Sequence, residues 1–306
     1  MSPFVLIVGA AAPVGPALLE ALLRRNVPVR VLSSTSGTRD RFPVRPLLEQ
    51  MAVPPGPAPR LDAALADITH VVLLAPPAAD AVVQHGLVIE AAARTRRPVH
   101  LVAVLPMGAV VHGGPFQLAR WHAVTTAQAR SADLPLTELY PQLLMHTLLR
   151  LAASIQSDNL LFGAFGSARL PHVDARDVAA AAAAVVTSPG HDGRAYVLTG
   201  PQALSYDEVA AVLSDVQGRP IRYVDLAPEA YHEHLVGSGL TPWMADDLAA
   251  LARRVRPRAA WPVSVAVADL TGRPARPLRR FLAEHADAFR ARPDAAATLT
   301  PYAFPL

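Results

Sequence analysis

The chain has 306 residues, 52% hydrophobic and 17% charged, with a net charge of +3. That balance supports a large core and excludes a disordered or strongly charged protein. All 28 basic residues are arginine, and there is neither lysine nor cysteine. Disulfides, thiolate nucleophiles, cysteine-bound zinc and Schiff-base chemistry are thereby excluded.

The arginines are scattered, as at Arg24-Arg25, Arg96-Arg97, Arg253-Arg254 and Arg279-Arg280. They read as solvated faces, and no nucleic-acid partner is expected. The first apolar run lacks a basic n-region, and the alanine-rich stretch from Val178 to Val186 is too short to span a bilayer. The expectation is a cytoplasmic protein with no membrane partner. The sequence leaves the oligomeric state open.

Phe4 to Val8 reads as a buried parallel strand, Gly9 to Gly15 as a loop, and Pro16 to Arg25 as a helix with Leu18, Leu19, Leu22 and Leu23 on one face. Further strands are predicted at Val27 to Leu32, His70 to Ala75, Val99 to Val104 and Leu136 to Leu139. Helices are predicted at Leu61 to Ala66, Ala79 to Arg94 and Leu118 to Ser131. This alternation predicts an α/β fold with a doubly wound, mostly parallel sheet. Ser33 to Pro59 is weakly patterned and proline-rich. It predicts loop with a short helix near Leu47 to Met51, and Met51-Ala52-Val53 is the one segment available for a strand.

The character changes from about Asp158. Asp174 to Val186 reads as a helix capped by Asp174. Ala195 to Thr199 and Ile221 to Asp225 read as strands. Ser205 and Glu208 open the next helix as a capping box. Helices follow at Pro228 to Val236, Pro242 to Arg254 and Pro277 to Phe289. His232 and His234 stand two apart on a helix and share no face, so no metal site is expected. The division expected is residues 1–157 as a nucleotide-binding unit and residues 158–306 as a smaller, mainly helical α/β region that binds substrate.

The loop Gly9-Ala10-Ala11-Ala12-Pro13-Val14-Gly15 stands between a first strand and a first helix. Such a loop turns backbone N–H groups and a helix N-terminus toward a pyrophosphate. Other segments carry a more specific likeness. Val5 to Leu23 is similar to a GATGxxG strand-loop-helix. His122 to Met145 resembles a helix followed by "SGLPYT" and "LRPGFFM" segments. Asp174 to Ala179 resembles "vDvrDvA", Leu198 to Ser205 "LTGPEALS", and Leu270 to Arg273 "LTGR". Together they resemble the NmrA-like family of atypical short-chain dehydrogenases over nearly the whole chain.

The resemblance implies a Rossmann-type sheet that binds NAD(P)(H). It implies either a reductase of quinones, dyes or other hydrophobic acceptors, or a redox sensor. It also marks cofactor contacts at Gly9, Ala12, Pro13, Val14 and Gly15 of the loop, at Ser33 and Ser34 after the second strand, at Ala75 and Pro76 after the third, and at Leu105 after the fourth.

Several positions depart from the family pattern. Ala12 replaces a glycine that admits the pyrophosphate, and Pro13 lacks an N–H. The second strand ends in Ser33-Ser34-Thr35 without the usual arginine or an acid. Hydroxyl donors there, with Arg39, place NADP(H) ahead of NAD(H). Pro54 to Pro57 offers no acid near adenine, and Leu105 occupies a frequent serine position. The Tyr-Lys pair that protonates a carbonyl cannot exist without lysine.

In the isoflavone-reductase branch a lysine precedes the turn threonine by fifteen residues, and counting back from Thr137 reaches His122. A histidine there can act as acid or base near neutrality. Tyr140 stands where relatives have an arginine, at a strand's carboxyl end. These two are the expected catalytic residues. Met107, Trp121, His146, Phe162, Phe165 and Trp243 are the expected substrate contacts, since pockets are mostly apolar and aromatic.

Three functions follow as expectations. The first is an NAD(P)H-dependent reductase of a small hydrophobic, aromatic or polyketide-like metabolite. The second is a cofactor-independent cyclase, isomerase or lyase of secondary metabolism that reuses the cleft. The third is a non-catalytic NADP(H)-sensing regulator.

Overall fold

The computed structural model describes residues 2–33, 42–52, 59–74, 79–106, 114 and 116–291. Strands β1 (Val5–Val8), β2 (Val29–Ser33), β3 (Leu48–Ala52), β4 (His70–Leu74), β5 (His100–Val104) and β6 (Leu136–Pro141) join a late strand, Ala195–Leu198, in one sheet. With β7 (Leu160–Gly163) lying elsewhere, that late strand is β8, and the order is β3-β2-β1-β4-β5-β6-β8. Every pairing in it is parallel. Each connection must therefore cross a face of the sheet, and all strands point their carboxyl ends to one edge.

Alternating side chains of β1 serve two cores. Val5 and Ile7 pack with Leu18 and Leu22 of α1 (Gly15–Leu23). Leu6 and Val8 face the other side, with Leu61 of α2 (Pro59–Ala64), Val88 and Ile89 of α3 (Ala79–Ala93) and Ala129 of α4 (Gln117–Ser131). After α5 (Ala152–Asp158), helix α6 (Ala175–Thr187) returns to the α1 side, where Ala179, Ala182 and Ala183 are fully buried. Small side chains let this helix lie close to its neighbours.

The cap expectations hold. Asp174 precedes α6 and accepts the Arg176 amide at 2.8 Å. Ser205 and Glu208 form the reciprocal capping box of α7 (Tyr206–Gln217). Asp174 is fully buried, and the Arg176 guanidinium binds both it and Glu284.

The weakly patterned segment differs from expectation. Leu48–Ala52 is strand β3, paired in register with Val29–Ser33, and no helix forms there. Glu49 and Gln50 break the apolar pattern because β3 is an edge strand. The Arg30 guanidinium, beneath the sheet edge, meets Glu49 at 2.6 Å and donates to the carbonyls of Ala64 and Ala66. Ladder hydrogen bonds and that ion pair hold the strand, and neither leaves a hydrophobic signature.

Within residues 158–306, strand β8 belongs to the large sheet and α6 packs in the core on its α1 side. Around them a third core gathers Leu161 of β7, Val209 and Leu213 of α7, Tyr231 of α8 (Pro228–Gly237), Leu251 and Val255 of α9 (Pro242–Val255) and, beyond α10 (Ala266–Thr271), Phe281 of α11 (Leu278–Glu284). Strand β7 was not expected. It pairs in parallel with β9 (Arg222–Asp225) as a two-stranded sheet. Among the described residues no helix is long and apolar enough to cross a membrane, and no cluster of acidic or histidine side chains could hold a metal ion.

The amino edge of the large sheet carries a histidine pair. His70 and His100 stack with ring centroids 5.4 Å apart, and His100 Nε2 lies 2.8 Å from the Thr137 hydroxyl. Burial, with the charge of His100 second, pushes the His70 pKa down to about 4. Burial does the same to His85 and to His172, each to about 4. The unfolded chain binds protons at these groups below their ordinary value while the folded chain refuses them, so their stability is intact above about pH 6.5 and is lost toward pH 4. Calorimetry across that window is expected to show a falling Tm, and His70→Gln should flatten part of the fall. A Tm unchanged from pH 6.5 to 4 would contradict the burial of these rings as neutral bases.

Candidate active site

The glycine loop lies where β1 ends at the carboxyl edge. Gly9 has φ +78°, in the left-handed region that favours glycine. The amide of Ala12 donates to the Gly9 carbonyl at 2.9 Å, and that of Gly15 to the Ala12 carbonyl at 2.8 Å. A Cβ on Gly15 would stand 1.9 Å from the Ala10 carbonyl oxygen, so the helix can begin this close to the loop only without a side chain.

Val14, at the N-cap of α1, offers no side-chain acceptor, and Pro13 and Pro16 have no N–H. Among the described residues the amides of Ala11 and Val14 have no acceptor. The loop thus keeps backbone donors and the positive end of a helix free for an anion. This geometry fits a dinucleotide pyrophosphate. Ala12 is partly buried and packs against the α1-side core. Its methyl has apolar neighbours in place of the open approach that glycine gives.

Ser34, Thr35, Arg39, Ala75, Pro76 and Met107 lie outside the described residues, as does the side chain of Ser33. Leu105 follows β5 on the same edge and is fully buried.

Sequence reasoning missed His85. It sits on α3, is 2% exposed, and its Nε2 lies 3.2 Å from the carbonyl of Leu74, the last residue of β4. With a pKa held near 4 by burial, it is a neutral donor fixed to the end of a strand at the nucleotide edge. The signal was present: His85 shares the apolar stripe of Ala81, Val88, Ile89 and Ala92.

His122 is buried on α4, in line with Thr125, Thr126 and Ala129. Because α4 returns from the end of β5, its first turns stand at the carboxyl edge, and His122 is the first member of the stripe. The neighbouring Trp121 is partly exposed. It meets Trp243 of α9 edge to face, with centroids 4.7 Å apart and planes at 64°. Two residues that are 122 positions apart in sequence become one aromatic surface.

Tyr140 has a different setting. Its hydroxyl donates to Glu138 Oε1 at 2.7 Å, and Glu138 also binds the Arg130 guanidinium at 2.9 Å. Burial, then the hydrogen bond to the carboxylate, raises the phenol pKa well above its ordinary value. Its proton is committed to Glu138, which makes it a poor acid or base at neutral pH.

Three other expected contacts sit in ring clusters. Phe165 is fully buried against Tyr206 and Tyr231, at 4.7 and 6.0 Å, in the core of the C-terminal region. Phe162 packs beside His234 at 4.6 Å. His146 packs on Phe281 at 5.0 Å and His285 at 5.9 Å. Each answers to the packing of β7, α8 or α11, which no local pattern displays.

No model of a known protein family matches the chain. A full-length relative is the NAD(P)H azoreductase of Xenophilus azovorans, 33% identical over 288 residues, covering 94% of this chain and 99% of that protein. Among solved structures, the fold is similar to the NADPH-dependent quinone oxidoreductase QOR2 of Escherichia coli in complex with NADPH (TM-score 0.81, 22% identity, 92% of this chain and 99% of that one). It is also similar to NmrA, a negative transcriptional regulator, in complex with NADP (TM-score 0.75, 16% identity, 93% and 95%). Identity with the azoreductase along the full length, on a parallel sheet with a glycine loop of this geometry, establishes the kinship: the chain belongs to the NmrA-like family of atypical short-chain dehydrogenases/reductases.

Proposed function

We propose that the chain is an NADP(H)-dependent reductase of flat, conjugated, hydrophobic acceptors such as quinones or azo compounds. The observation that carries this reading is the uncapped start of α1, with loop amides that have no acceptor among the described residues, on the same sheet edge as the Trp121–Trp243 surface. The full-length azoreductase relative supports reduction over cofactor-free cyclisation and over sensing alone.

When bound, NADPH supplies a hydride. The chain's own part is to hold and to orient. Gly9 to Gly15 would hold the pyrophosphate through the Ala11 and Val14 amides and the α1 dipole. The indoles of Trp121 and Trp243 offer an apolar wall for an aromatic acceptor, where edge and face contacts favour planar rings. Hydride plus one proton converts a quinone to a hydroquinone, or an azo bond to a hydrazo bond. Charge arriving on such an acceptor is delocalised, so the step needs little acid help. This fits a chain without the Tyr-Lys pair. His122, at the head of the buried stripe of α4, is our candidate to deliver the proton.

The test is a titration with NADPH and NADH followed by turnover of menadione or methyl red. Tight NADPH binding and NADPH-dependent turnover are expected. Absence of binding at millimolar cofactor would overturn the reading. His122→Ala is expected to lower kcat by about 10²-fold while leaving the NADPH Kd in place. Tyr140→Phe should stay within about twofold, because its proton already belongs to Glu138. Gly15→Ala should destabilise the fold by about 1–3 kcal/mol through overpacking against Ala10. In the same variant NADPH affinity should fall at least about tenfold, a loss of roughly 1.4 kcal/mol.

A further inference from the structure

Helix α4 begins without a cap of its own. Its N-cap residue is Phe116, with extended backbone (φ −93°, ψ 137°) and no side-chain acceptor. The acceptor comes from across the molecule. Asp247, on α9, takes the amide of Gln117 at 2.7 Å on one carboxylate oxygen and that of Leu118 at 2.9 Å on the other. The carboxylate is 7% exposed, so these bonds form away from bulk water.

Two geometric facts give this clamp more than a local meaning. First, Trp243 lies one helical turn before Asp247 on α9, and Trp121 one turn after Gln117 on α4. The same two helices that Asp247 joins are joined again by the Trp121–Trp243 contact. Second, Phe116 is fully buried in the core of the C-terminal region, against which Ala119, Met244 and Leu248 also pack. The start of α4 thus belongs to the C-terminal region, and its end, at Ala129, to the large sheet.

We propose that Asp247 is a positioning residue for the acceptor site: by holding the first two amides of α4 it fixes the angle between Trp121 and Trp243 and the placement of His122. Its charge at a helix N-terminus is favourable, and an ionised acceptor makes each bond stronger than a neutral one would. The kinetic consequence rests on the reductase reading; the structural consequence does not. Small displacements at a reacting centre are costly, so the acceptor step should suffer while nucleotide binding, at the loop after β1, should not.

Asp247→Asn keeps the size but turns an amide donor toward backbone donors. Gln117→Pro leaves Asp247 untouched and deletes one of the two bonds; the position is the first of the helix and follows an extended residue, where proline is tolerated. Dichroism and kinetics apply to both variants, and amide exchange to one. The near-ultraviolet circular dichroism of the indole pair should weaken. Amide exchange at the start of α4, followed in Asp247→Asn, should rise at least about tenfold. For menadione, kcat/KM should fall about 10- to 100-fold in Asp247→Asn and less in Gln117→Pro, with the NADPH Kd within about twofold.

Unchanged dichroism in both variants, or unchanged exchange in Asp247→Asn, would overturn the clamp. Equal losses of NADPH affinity and of menadione turnover would overturn its role as a positioning residue and leave a general structural one. If the unaltered protein binds no NADPH, the reductase reading fails alone, and dichroism and exchange still decide the clamp.

Discussion

The contact between Gly15 and the Ala10 carbonyl governs the architecture around it. A helix can start directly above the end of β1 only if nothing projects from that residue. With the helix seated there, Leu18 and Leu22 reach Val5 and Ile7, and α6 can lie beside α1 with its alanines buried. The same seating aims the first amides of α1 at the space beyond the sheet edge. Packing and anion binding are two results of one missing side chain, and neither could be adjusted without the other.

Among the described residues, that edge presents backbone amides and the imidazole of His85, with indoles and aliphatic groups beside them. Several described charged side chains are drawn off into structural pairs. Arg30 serves Glu49, Arg130 serves Glu138, and Arg176 serves Asp174 and Glu284. Tyr140 belongs to the second of these. A phenol that stands at a strand end in the sequence is, in three dimensions, the third member of an ion-pair network. Pattern reading assigns such a residue to the ligand because it sees the strand end and not the carboxylate two positions earlier on the same face.

Most of the large sheet was legible because parallel strands buried on both faces read as unbroken apolar runs, and because Asp174, Ser205 and Glu208 mark helix starts by local chemistry. The losses have a common cause. Strand β3 is an edge strand held by its ladder and by Glu49, so its sequence carries no period. Strand β7 is short and finds its partner 62 residues later, with Leu160 opposite Arg222. The glycine loop could be read from its spacing between strand and helix, while His122 was picked out by resemblance alone. His85 was hidden inside an apolar stripe, and the Trp121–Trp243 surface needs the docking of α9 on α4, which only tertiary structure supplies.

The walls of that edge have one more property, set by what the side chains lack. Electron-poor conjugated molecules are alkylating agents as well as oxidants, and they add to thiols and primary amines. Indole, neutral imidazole and aliphatic carbon are slow partners for such addition, and the chain contains neither cysteine nor lysine anywhere. On the proposed reductase reading, a protein built this way would offer an electrophilic acceptor a place to lie without a thiol or lysine amine to capture it, and self-inactivation by covalent adducts would have few points at which to begin.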